Sequence, residues 1–517
     1  MANRSLFGSL IGRFTSRPVV HNEAGGRAYA RTPAEALAQY VATGCFNATF
    51  YADAEAQLER VLKLSSGLPP EFLAKAAVYS RECGRMKDMP ALLVAVLAER
   101  DAAQMDRVFA RVIDTPRMLR TFVQMVRSGV TGRKSLGTVP RRAVRRWLDA
   151  RSDEAVFAAS VGNDPSMADI VRMVHPRPAG SQREALYGYL LGRDVQMASL
   201  PAVVRQFEAF KSGDRTVVPD VPFQMLTALD LAPAEWREIA RHAPWQMTRM
   251  NLNTFARHGV FDDADVTNLV ASRLCDPERV SRAGVLPYQL LAAHRAADAS
   301  VPGRVRGALE DALELALANV PVVEGQVYVC PDVSGSMRSP VTGHRAGATT
   351  AVRCVDVAAL VAAAILRKNP TAGVLPFAQD VVDVRLSPRD TVMTNADRLA
   401  AVGGGGTSVS APLARLNERR AKGDLVVVVS DNESWVDARN TFDTATIAEW
   451  KLFRRRNPAA RLALIDIQPS ATTQALERDD VLNIGGFSDH VFELLADFAA
   501  GRMERGHWVG AIESIAI

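Results

Sequence analysis

The chain changes its hydrophobic pattern near residue 320, and this change constrains the fold more than any other feature of the sequence. Before it, apolar residues recur at helical spacing, for example at Leu37, Tyr40 and Val41. After it, short β-rich apolar runs alternate with helical segments. Two kinds of folding unit are therefore expected, and a length of 517 residues exceeds that of one ordinary domain.

The first half is predicted to form about sixteen to eighteen short helices between residues 30 and 320. Capping boxes begin at Thr32 and Ser181, and Asp276 followed by Pro277 is a similar helix start. No strict repeat motif is visible, which disfavours a tetratricopeptide or ankyrin array. Helix pairs that stack irregularly, as in HEAT-like solenoids, are predicted instead.

The second half is predicted to be a doubly wound, Rossmann-like α/β domain. Its apolar runs are typical of strands that are buried on both faces of a parallel sheet. These runs lie at residues 326–330, 373–377, 425–430 and 462–467. We place the domain boundaries so that residues 1–28 stay unassigned, residues 29–321 form the helical part and residues 322–517 form the α/β domain.

Composition and apolar run lengths disfavour a disordered chain and a membrane-spanning protein. Apolar residues make up 48% and charged residues 23% of the chain, which is typical of globular proteins. No apolar run approaches the roughly 20 residues of a membrane helix, and the N-terminus lacks a signal-peptide pattern. The cysteines are widely spaced, which disfavours disulfides and cysteine-based zinc sites. We therefore expect no membrane association and a location in the reducing cytoplasm.

Oxygen ligands gather where three strands of the second half are predicted to end. The residues are Asp332, Ser334 and Ser336 after the first strand, Thr407 after a glycine run, and Asp431 after the strand LVVVVS. Hard oxygen ligands suit Mg²⁺ or Mn²⁺. The alternative is a hydrogen-bonded Asx or Ser turn without metal. No acid–base pair stands out nearby, and we interpret Glu433 as an outer or surface residue, so the sequence predicts a binding module rather than an enzyme.

Positive charge is concentrated between residues 115 and 148, where nine basic residues and no acidic ones occur. At about 100° per residue, one arc of a helix carries only arginines, and Ala143, Val144, Trp147 and Leu148 fill the opposite arc. The arginines are Arg141, Arg142, Arg145 and Arg146, and Arg133 and Lys134 precede them. Such a stripe fits phosphate recognition, whereas the alternative is a solvated charged face.

Several stretches resemble the Ro ribonucleoprotein autoantigen family, which combines a TROVE module with a von Willebrand factor A domain. In the first half these are PRRAVRRWL and NDPSMADIVRMVHPRP. In the second half they are DVSGSM, GGGGTSVSAPL, VVVVSDNESWVD and GGFSDHVFELLADF. Both halves match in order over most of residues 30–505. The second stretch departs from the family at Asp164, Pro165 and Met167, and SGS replaces the SAS of some relatives.

The resemblance implies a ring of HEAT-like repeats that the A domain closes around a positively charged hole, in a monomeric protein. It also implies a metal-ion-dependent adhesion site, with Ser334, Ser336 and Thr407 binding the ion directly and Asp332 and Asp431 acting often through water. It assigns RNA contacts to the basic residues above, and to Arg172 and His175 in the second stretch.

The resemblance further implies particular partners. Family members bind small structured Y RNAs on the outer rim and the single-stranded 3′ ends of misfolded RNAs through the hole. They act in RNA quality control, and in bacteria Y RNA can tether an exoribonuclease such as polynucleotide phosphorylase. The leading hypothesis is therefore a non-catalytic RNA-binding ring. One alternative is a scaffold whose metal captures an acidic protein partner without RNA, and a second is an RNA-processing enzyme.

Overall fold

The structure is a computed structural model of the full chain. It describes residues 19–22, 25–43, 53–285, 287–317, 320, 322–341, 352–431, 444–468, 472–476, 478–486, 490–502 and 507–517. Contacts divide the chain into two compact units. The α/β unit combines the residues up to Gly67 with Asn319–Ile512, and the helical unit combines Leu68–Ala318 with Glu513–Ile517.

The described chain begins with two strands and two helices that belong to the α/β unit. They are β1 (Val19–His21), β2 (Arg27–Ala30), α1 (Pro33–Thr43) and α2 (Ala54–Gly67). The capping box predicted at Thr32 is present, because the Glu35 amide donates to Thr32 Oγ1 at 3.2 Å and the Thr32 amide donates to Glu35 Oε2 at 2.6 Å.

The helical unit contains seventeen α-helices among its described residues. They are α3 (Pro70–Glu82), α4 (Asp88–Arg100), α5 (Ala102–Val112), α6 (Pro116–Ser128), α7 (Thr138–Asp149), α8 (Asp153–Ala158), α9 (Met167–Val174), α10 (Ser181–Leu190), α11 (Ala202–Lys211), α12 (Phe223–Leu226), α13 (Pro233–His242), α14 (Trp245–Met250), α15 (Leu252–Arg257), α16 (Ala264–Leu274), α17 (Pro277–Ala283), α18 (Pro287–Ala296) and α19 (Gly303–Ala316).

Local sequence explains the limits of these helices, as α6 illustrates. Thr115 Oγ1 accepts a hydrogen bond from the Met118 amide at 3.3 Å, and Pro116 occupies the first turn. The helix ends at Gly129, whose φ of 89° lies in the left-handed region. Its apolar face is fully buried, and Phe122 packs edge-on against Phe109 of α5.

The α/β unit continues after the helical unit. Its remaining elements are β3 (Val327–Pro331), α20 (Cys354–Lys368), β4 (Gly373–Val374), α21 (Val392–Ala401), α22 (Ala411–Glu418), β5 (Leu425–Ser430), α23 (Ala445–Arg456), β6 (Arg461–Asp466), β7 (Thr472–Thr473), β8 (Val481–Gly485), α24 (His490–Ala499) and α25 (His507–Glu513).

The main sheet has the order β4-β3-β5-β6-β8, and every neighbouring pair is parallel. The predicted parallel sheet is therefore confirmed, and its central strand β5 is buried at all six residues. On one face of the sheet, Trp450 and Phe453 of α23 are fully buried in a cluster with Val426 and Val428. The sequence did not predict β8, β1, β2 or β7.

The predicted domain boundaries, 29–321 and 322–517, differ from the division that the contacts make. Strand β2 pairs with β7, with Tyr29 opposite Thr473, and β1 pairs with β2. At the other end of the chain, the amino group of Lys75 donates to the Glu513 carbonyl at 2.9 Å, and Arg107 donates to the Ile517 carbonyl at 2.8 Å. Each terminal segment thus joins a unit that is distant from it in sequence.

No helix in the described ranges combines the length and the apolar character that crossing a bilayer requires. The longest helix of the α/β unit, α20, is buried along almost its whole length and ends in Arg367 and Lys368. Its apolar character reflects its position in the interior of a doubly wound fold.

Candidate metal centre and nucleic-acid interface

The candidate metal centre lies at the carboxyl edge of the main sheet. Asp332 follows β3 directly, and its amide donates to the Val429 carbonyl of β5 at 2.9 Å. Asp431 follows β5, and the Ser430 carbonyl before it accepts from the Ile467 amide at 3.0 Å. The strand ends therefore place both carboxylates at one edge, which is where open α/β sheets bind their ligands.

A glycine loop joins this edge through backbone hydrogen bonds. The Gly335 amide donates to the Gly405 carbonyl at 3.1 Å, and the Gly404 amide donates to the Val333 carbonyl at 3.2 Å. Gly403 has a φ of 141°, and a Cβ there would lie 2.3 Å from the Val333 carbonyl oxygen. Only glycine fits such an approach, so the glycine run allows the segment that carries Thr407 to reach the Asp332 loop.

Hydroxyl and carboxylate groups meet in the interior at this edge. Asp332 accepts from the Ser334 amide at 2.8 Å and from Ser430 Oγ at 2.5 Å. Ser334 Oγ and Ser336 Oγ lie 3.4 Å apart. All of these side chains, and those of Thr407 and Asp431, are buried. The structure thus collects the five predicted ligands around one buried edge.

The charges of this site favour a cation. Burial and the neighbouring charge of Asp431 raise the pKa of Asp332 to about 7. A divalent ion would offset that repulsion and stabilise both ionised carboxylates. In the described part of the chain, no group of three or more His, Cys, Asp or Glu residues could hold a metal ion. A metal here would therefore depend on the serine and threonine hydroxyls, which fit Mg²⁺ or Mn²⁺.

The bond from the Ser334 amide to Asp332 is also the Asx turn of the metal-free alternative. The two interpretations share this contact, because a turn of this kind also positions ligands. Occupancy by a metal therefore stays a prediction. Glu433, which we had interpreted as an outer or surface residue, lies outside the described residues.

Sequence reasoning missed a third carboxylate at the same edge and the cation that neutralises it. Burial and the charge of Asp431 raise the pKa of Asp466, the last residue of β6, to about 7, although Arg31 acts in the opposite direction. The Arg31 guanidinium donates to the Asp466 carboxylate and, at 3.1 Å, to the Thr472 carbonyl. The position of Asp466 at a strand end was a usable signal, whereas nothing near Arg31 in the sequence indicated its partner.

The basic helix α7 has the two faces that its sequence predicts. Its apolar face, including Ala143, Val144 and Leu148, is buried. Trp147 donates from its indole nitrogen to the Ile113 carbonyl at 2.7 Å, and the Arg151 guanidinium lies 3.3 Å from the centre of its ring. The arginines therefore face away from the core, and we call Arg141, Arg142, Arg145 and Arg146 the α7 surface.

The α7 surface is partly paired with an acidic residue from outside the basic segment 115–148. Asp106 of α5 accepts from Arg146 at 3.2 Å, and its carboxylate lies 3.6 Å from the guanidinium of Arg142. Both arginine side chains still expose more than half of their surface, at 53% and 58%. Arg141 is exposed and makes no ion pair with any described residue.

The structure brings α7 next to the second predicted RNA-contact stretch. Arg145 donates from Nε to the Val174 carbonyl at the end of α9, and the exposed His175 follows directly with a φ of 48°. Arg172 is exposed, and its guanidinium lies 3.3 Å from Asp169, the residue that forms a capping box with Ser166. Two stretches that lie about 30 residues apart therefore form one surface.

Arg133 and Lys134 have different environments. Arg133 donates to the Ala98 carbonyl at 2.8 Å and to Glu99 at 3.3 Å, so its guanidinium fixes its own loop to the end of α4. Lys134 is exposed and has no ion pair within the described ranges. Among the predicted lysine and arginine contacts, Lys134 and Arg141 thus have the least internal competition.

Comparisons with known proteins agree with both halves of the chain. Residues 326–499 match the family model of the Ro60 vWA domain, and this range contains all five predicted metal ligands. The RNA-binding protein RO60 of Deinococcus radiodurans is 25% identical over 94% of this chain and 96% of its own length. Over both of its halves, the chain is similar to proteins of the Ro60 family.

A second relative and a solved structure define how far the likeness extends. The RNA-binding protein RO60 of Caenorhabditis elegans is 24% identical over 50% of this chain and 40% of its own length. The crystal structure of the Deinococcus radiodurans Ro protein has a TM-score of 0.62 and 21% identity, and the match covers 91% of this chain and 100% of that one. The Ro fold, with helical repeats and a von Willebrand factor A domain, is thereby confirmed.

Proposed function

We propose that this chain is a non-catalytic RNA-binding protein of RNA quality control. It binds small structured non-coding RNA of the Y type on its basic surface, and it takes the single-stranded 3′ ends of misfolded RNA through a central hole. It acts within a ribonucleoprotein, and the bound Y-type RNA tethers a 3′–5′ exoribonuclease such as polynucleotide phosphorylase.

The arginine and histidine side chains that share one exposed surface support this proposal. The half-exposed guanidiniums of Arg142 and Arg146 lie on the helix whose Arg145 contacts the residue before His175. Arginine forks and an imidazole on one exposed surface suit phosphate oxygens. The Deinococcus radiodurans relative is named RNA-binding protein RO60, which supports the same ligand.

We also propose that the carboxyl edge of the main sheet binds Mg²⁺ or Mn²⁺. Ser334, Ser336 and Thr407 would supply hydroxyl oxygens, and Asp332 and Asp431 would balance the charge of the ion. The buried, oxygen-only donor set supports this assignment. A metal site of this kind also supports the second candidate function, a scaffold that captures an acidic protein partner. RNA that copurifies with the chain from its native host, identified by sequencing, would separate the two functions.

We expect opposite charge changes on the α7 surface to change RNA affinity in opposite directions. Arg142→Gln with Arg146→Gln should weaken binding and flatten the plot of log K against log salt by up to about 1.4, since each phosphate contact with a single strand contributes about 0.7. Asp106→Asn should strengthen binding, because it removes the carboxylate that competes with phosphate. Filter binding at four salt concentrations measures both effects.

Stability should hardly change in these variants, because exposed ion pairs contribute about 0–1 kcal/mol. Arg419→Gln with Arg420→Gln is a matched control that removes two exposed arginines from the α/β unit. The proposal fails if this control and the α7 variant lower RNA affinity equally.

If RNA enters through a central hole, binding should require a free RNA end, because a strand can pass through a closed ring only from an end. A linear single-stranded RNA should compete for binding, whereas a covalently closed circle of the same sequence should compete at least about tenfold less well. The phosphate charges are the same in both RNAs, so long-range attraction is matched. Equal competition by the circle in the same assay would argue against threading and leave only binding on the outer surface.

A further inference from the structure

A pocket of about 350 Å³ opens in the helical unit among residues that the α7 surface does not use. Its walls come from Phe223 of α12, Trp236 of α13 and the end of α15. This volume lies in the range of small-molecule sites, and the pocket combines aromatic and polar groups as such sites do.

One wall of the pocket consists of stacked rings. The rings of Trp236 and His258 lie 4.0 Å apart between centroids, with an interplanar angle of 10°. Phe223 meets Trp236 edge-on at 5.8 Å. Trp236 is 4% exposed and therefore fixed by packing, whereas His258 is exposed. A rigid inner ring thus supports an outer ring that is open to solvent, which suits the stacking of a further flat ring.

Two charged groups, the Asp230 carboxylate and the Arg257 guanidinium, could contact different parts of a ligand. Asp230 lines the pocket, is exposed and makes no hydrogen bond or ion pair with any described residue. Thr254 also lines the pocket, and its hydroxyl accepts from the Arg257 guanidinium at 3.3 Å, so this cation contacts a lining residue without being part of the lining itself. The pocket therefore has an exposed carboxylate in its wall and a cation that is hydrogen-bonded to a neighbouring residue of that wall.

We propose that this pocket binds one unpaired guanine base of an RNA strand, an inference that rests on the proposed RNA binding. The base stacks on the aromatic wall, and Arg257 contacts the adjoining phosphate. Asp230 accepts the two adjacent N–H donors of the guanine Watson–Crick edge. Cytosine and adenine present one amino donor beside a ring acceptor, which a carboxylate repels, and uracil presents a single donor between two carbonyls.

The charge of Arg257, which contacts Thr254 of the pocket wall, favours RNA over a protein ligand. An aromatic wall with a carboxylate could also hold a methylated lysine. Arg257 would repel such a cation, whereas it attracts a phosphate. An aromatic wall, a carboxylate in that wall and a cation bonded to Thr254 together favour a nucleotide.

The test uses equilibrium dialysis of the full-length protein against the four ribonucleoside 5′-monophosphates. Guanosine monophosphate should bind about tenfold more tightly than the other three. Asp230→Asn should remove this preference, because an amide offers one donor and one acceptor. His258→Ala should weaken binding of guanosine monophosphate about tenfold through lost stacking. Asp220→Asn, which removes an exposed carboxylate outside the pocket, should change neither property.

Three outcomes would overturn the proposal: equal affinity for all four nucleotides, no saturable binding of any nucleotide, or binding of a trimethyllysine peptide that His258→Ala abolishes. A parallel measurement separates this failure from failure of the proposed function. The Arg142→Gln, Arg146→Gln variant should keep its affinity for guanosine monophosphate while losing affinity for long RNA. Long RNA binding that depends on α7 without nucleotide binding would refute the pocket alone.

Discussion

The Arg31→Met variant should lose about 3–5 kcal/mol of unfolding free energy in the α/β unit, because it removes one partner of a buried ion pair. The side chains of Arg31 and Asp466 are only 3% and 2% exposed, so solvent screens their interaction very little. Removal of the guanidinium also leaves the Thr472 carbonyl without its donor from Arg31. Urea unfolding followed by circular dichroism measures the loss.

The loss of unfolding free energy in Arg31→Met should become smaller as pH falls. Burial already raises the pKa of Asp466 to about 7, and Arg31 lowers it, so loss of Arg31 raises it further. Folded protein then holds a proton that the unfolded chain, with an ordinary pKa near 3.9, releases. Stability of the variant relative to wild type should therefore recover as pH falls toward about 7, and it should change little below that because Asp466 is then protonated in both proteins.

Two companion variants make this prediction specific. Arg27→Met changes an exposed arginine of β2, the strand that ends one residue before Arg31, and should change stability by less than about 0.5 kcal/mol. Arg31→Met combined with Asp466→Asn should regain part of the loss, because no unpaired charge remains buried. A single Arg31→Met variant as stable as wild type at pH 8 would show that the pair does not hold β2 on the unit.

Asp332→Ala should lower the affinity for Mg²⁺ or Mn²⁺ by more than about 100-fold, since changing even an outer partner of a metal ligand costs about 10–100-fold. The carboxylate lost is fully buried and adjoins both Ser334 and Ser430. Calorimetric titration at pH 8 measures the affinity. At saturating metal, about 100 times the Kd, wild type should gain about 2.7 kcal/mol of stability that the variant does not gain.

The metal affinity of wild type should also fall as pH drops below about 7, because the raised pKa of Asp332 lets a proton compete with the ion. Asp383→Ala removes an exposed carboxylate of the same unit and should bind metal normally. RNA affinity of Asp332→Ala should change little, since the α7 surface belongs to the helical unit. Undiminished titration of metal into a folded Asp332→Ala variant would refute the site.

Much of this protein is determined by local sequence. Helical periodicity defines the helices between Pro70 and Ala316, and apolar runs without polar alternation define the parallel strands β3, β5 and β6. The candidate metal loop was predictable for the same reason, because the end of a parallel strand is fixed as soon as the strand is identified. The helical spacing of the side chains likewise determines which side of α7 carries its arginines.

Short or polar elements carried too little local signal. Strands β1, β2 and β7 have three, four and two residues, and a pattern of that length cannot be distinguished from a loop. They exist because they pair with one another across the chain, with Tyr29 opposite Thr473. The assignment of the N-terminal residues to the α/β unit therefore came from tertiary pairing.

Charge partners were decided entirely by the tertiary structure. Arg31 and Asp466 lie 435 positions apart, and Asp106 lies 40 positions from Arg146. Sequence periodicity gives the direction of a side chain relative to its own helix or strand, but it does not give the group that faces it from another element. By itself the sequence determined two folding units, the faces of their helices and the loops at their strand ends. Only packing decided which charges meet, because that depends on long-range contacts between elements.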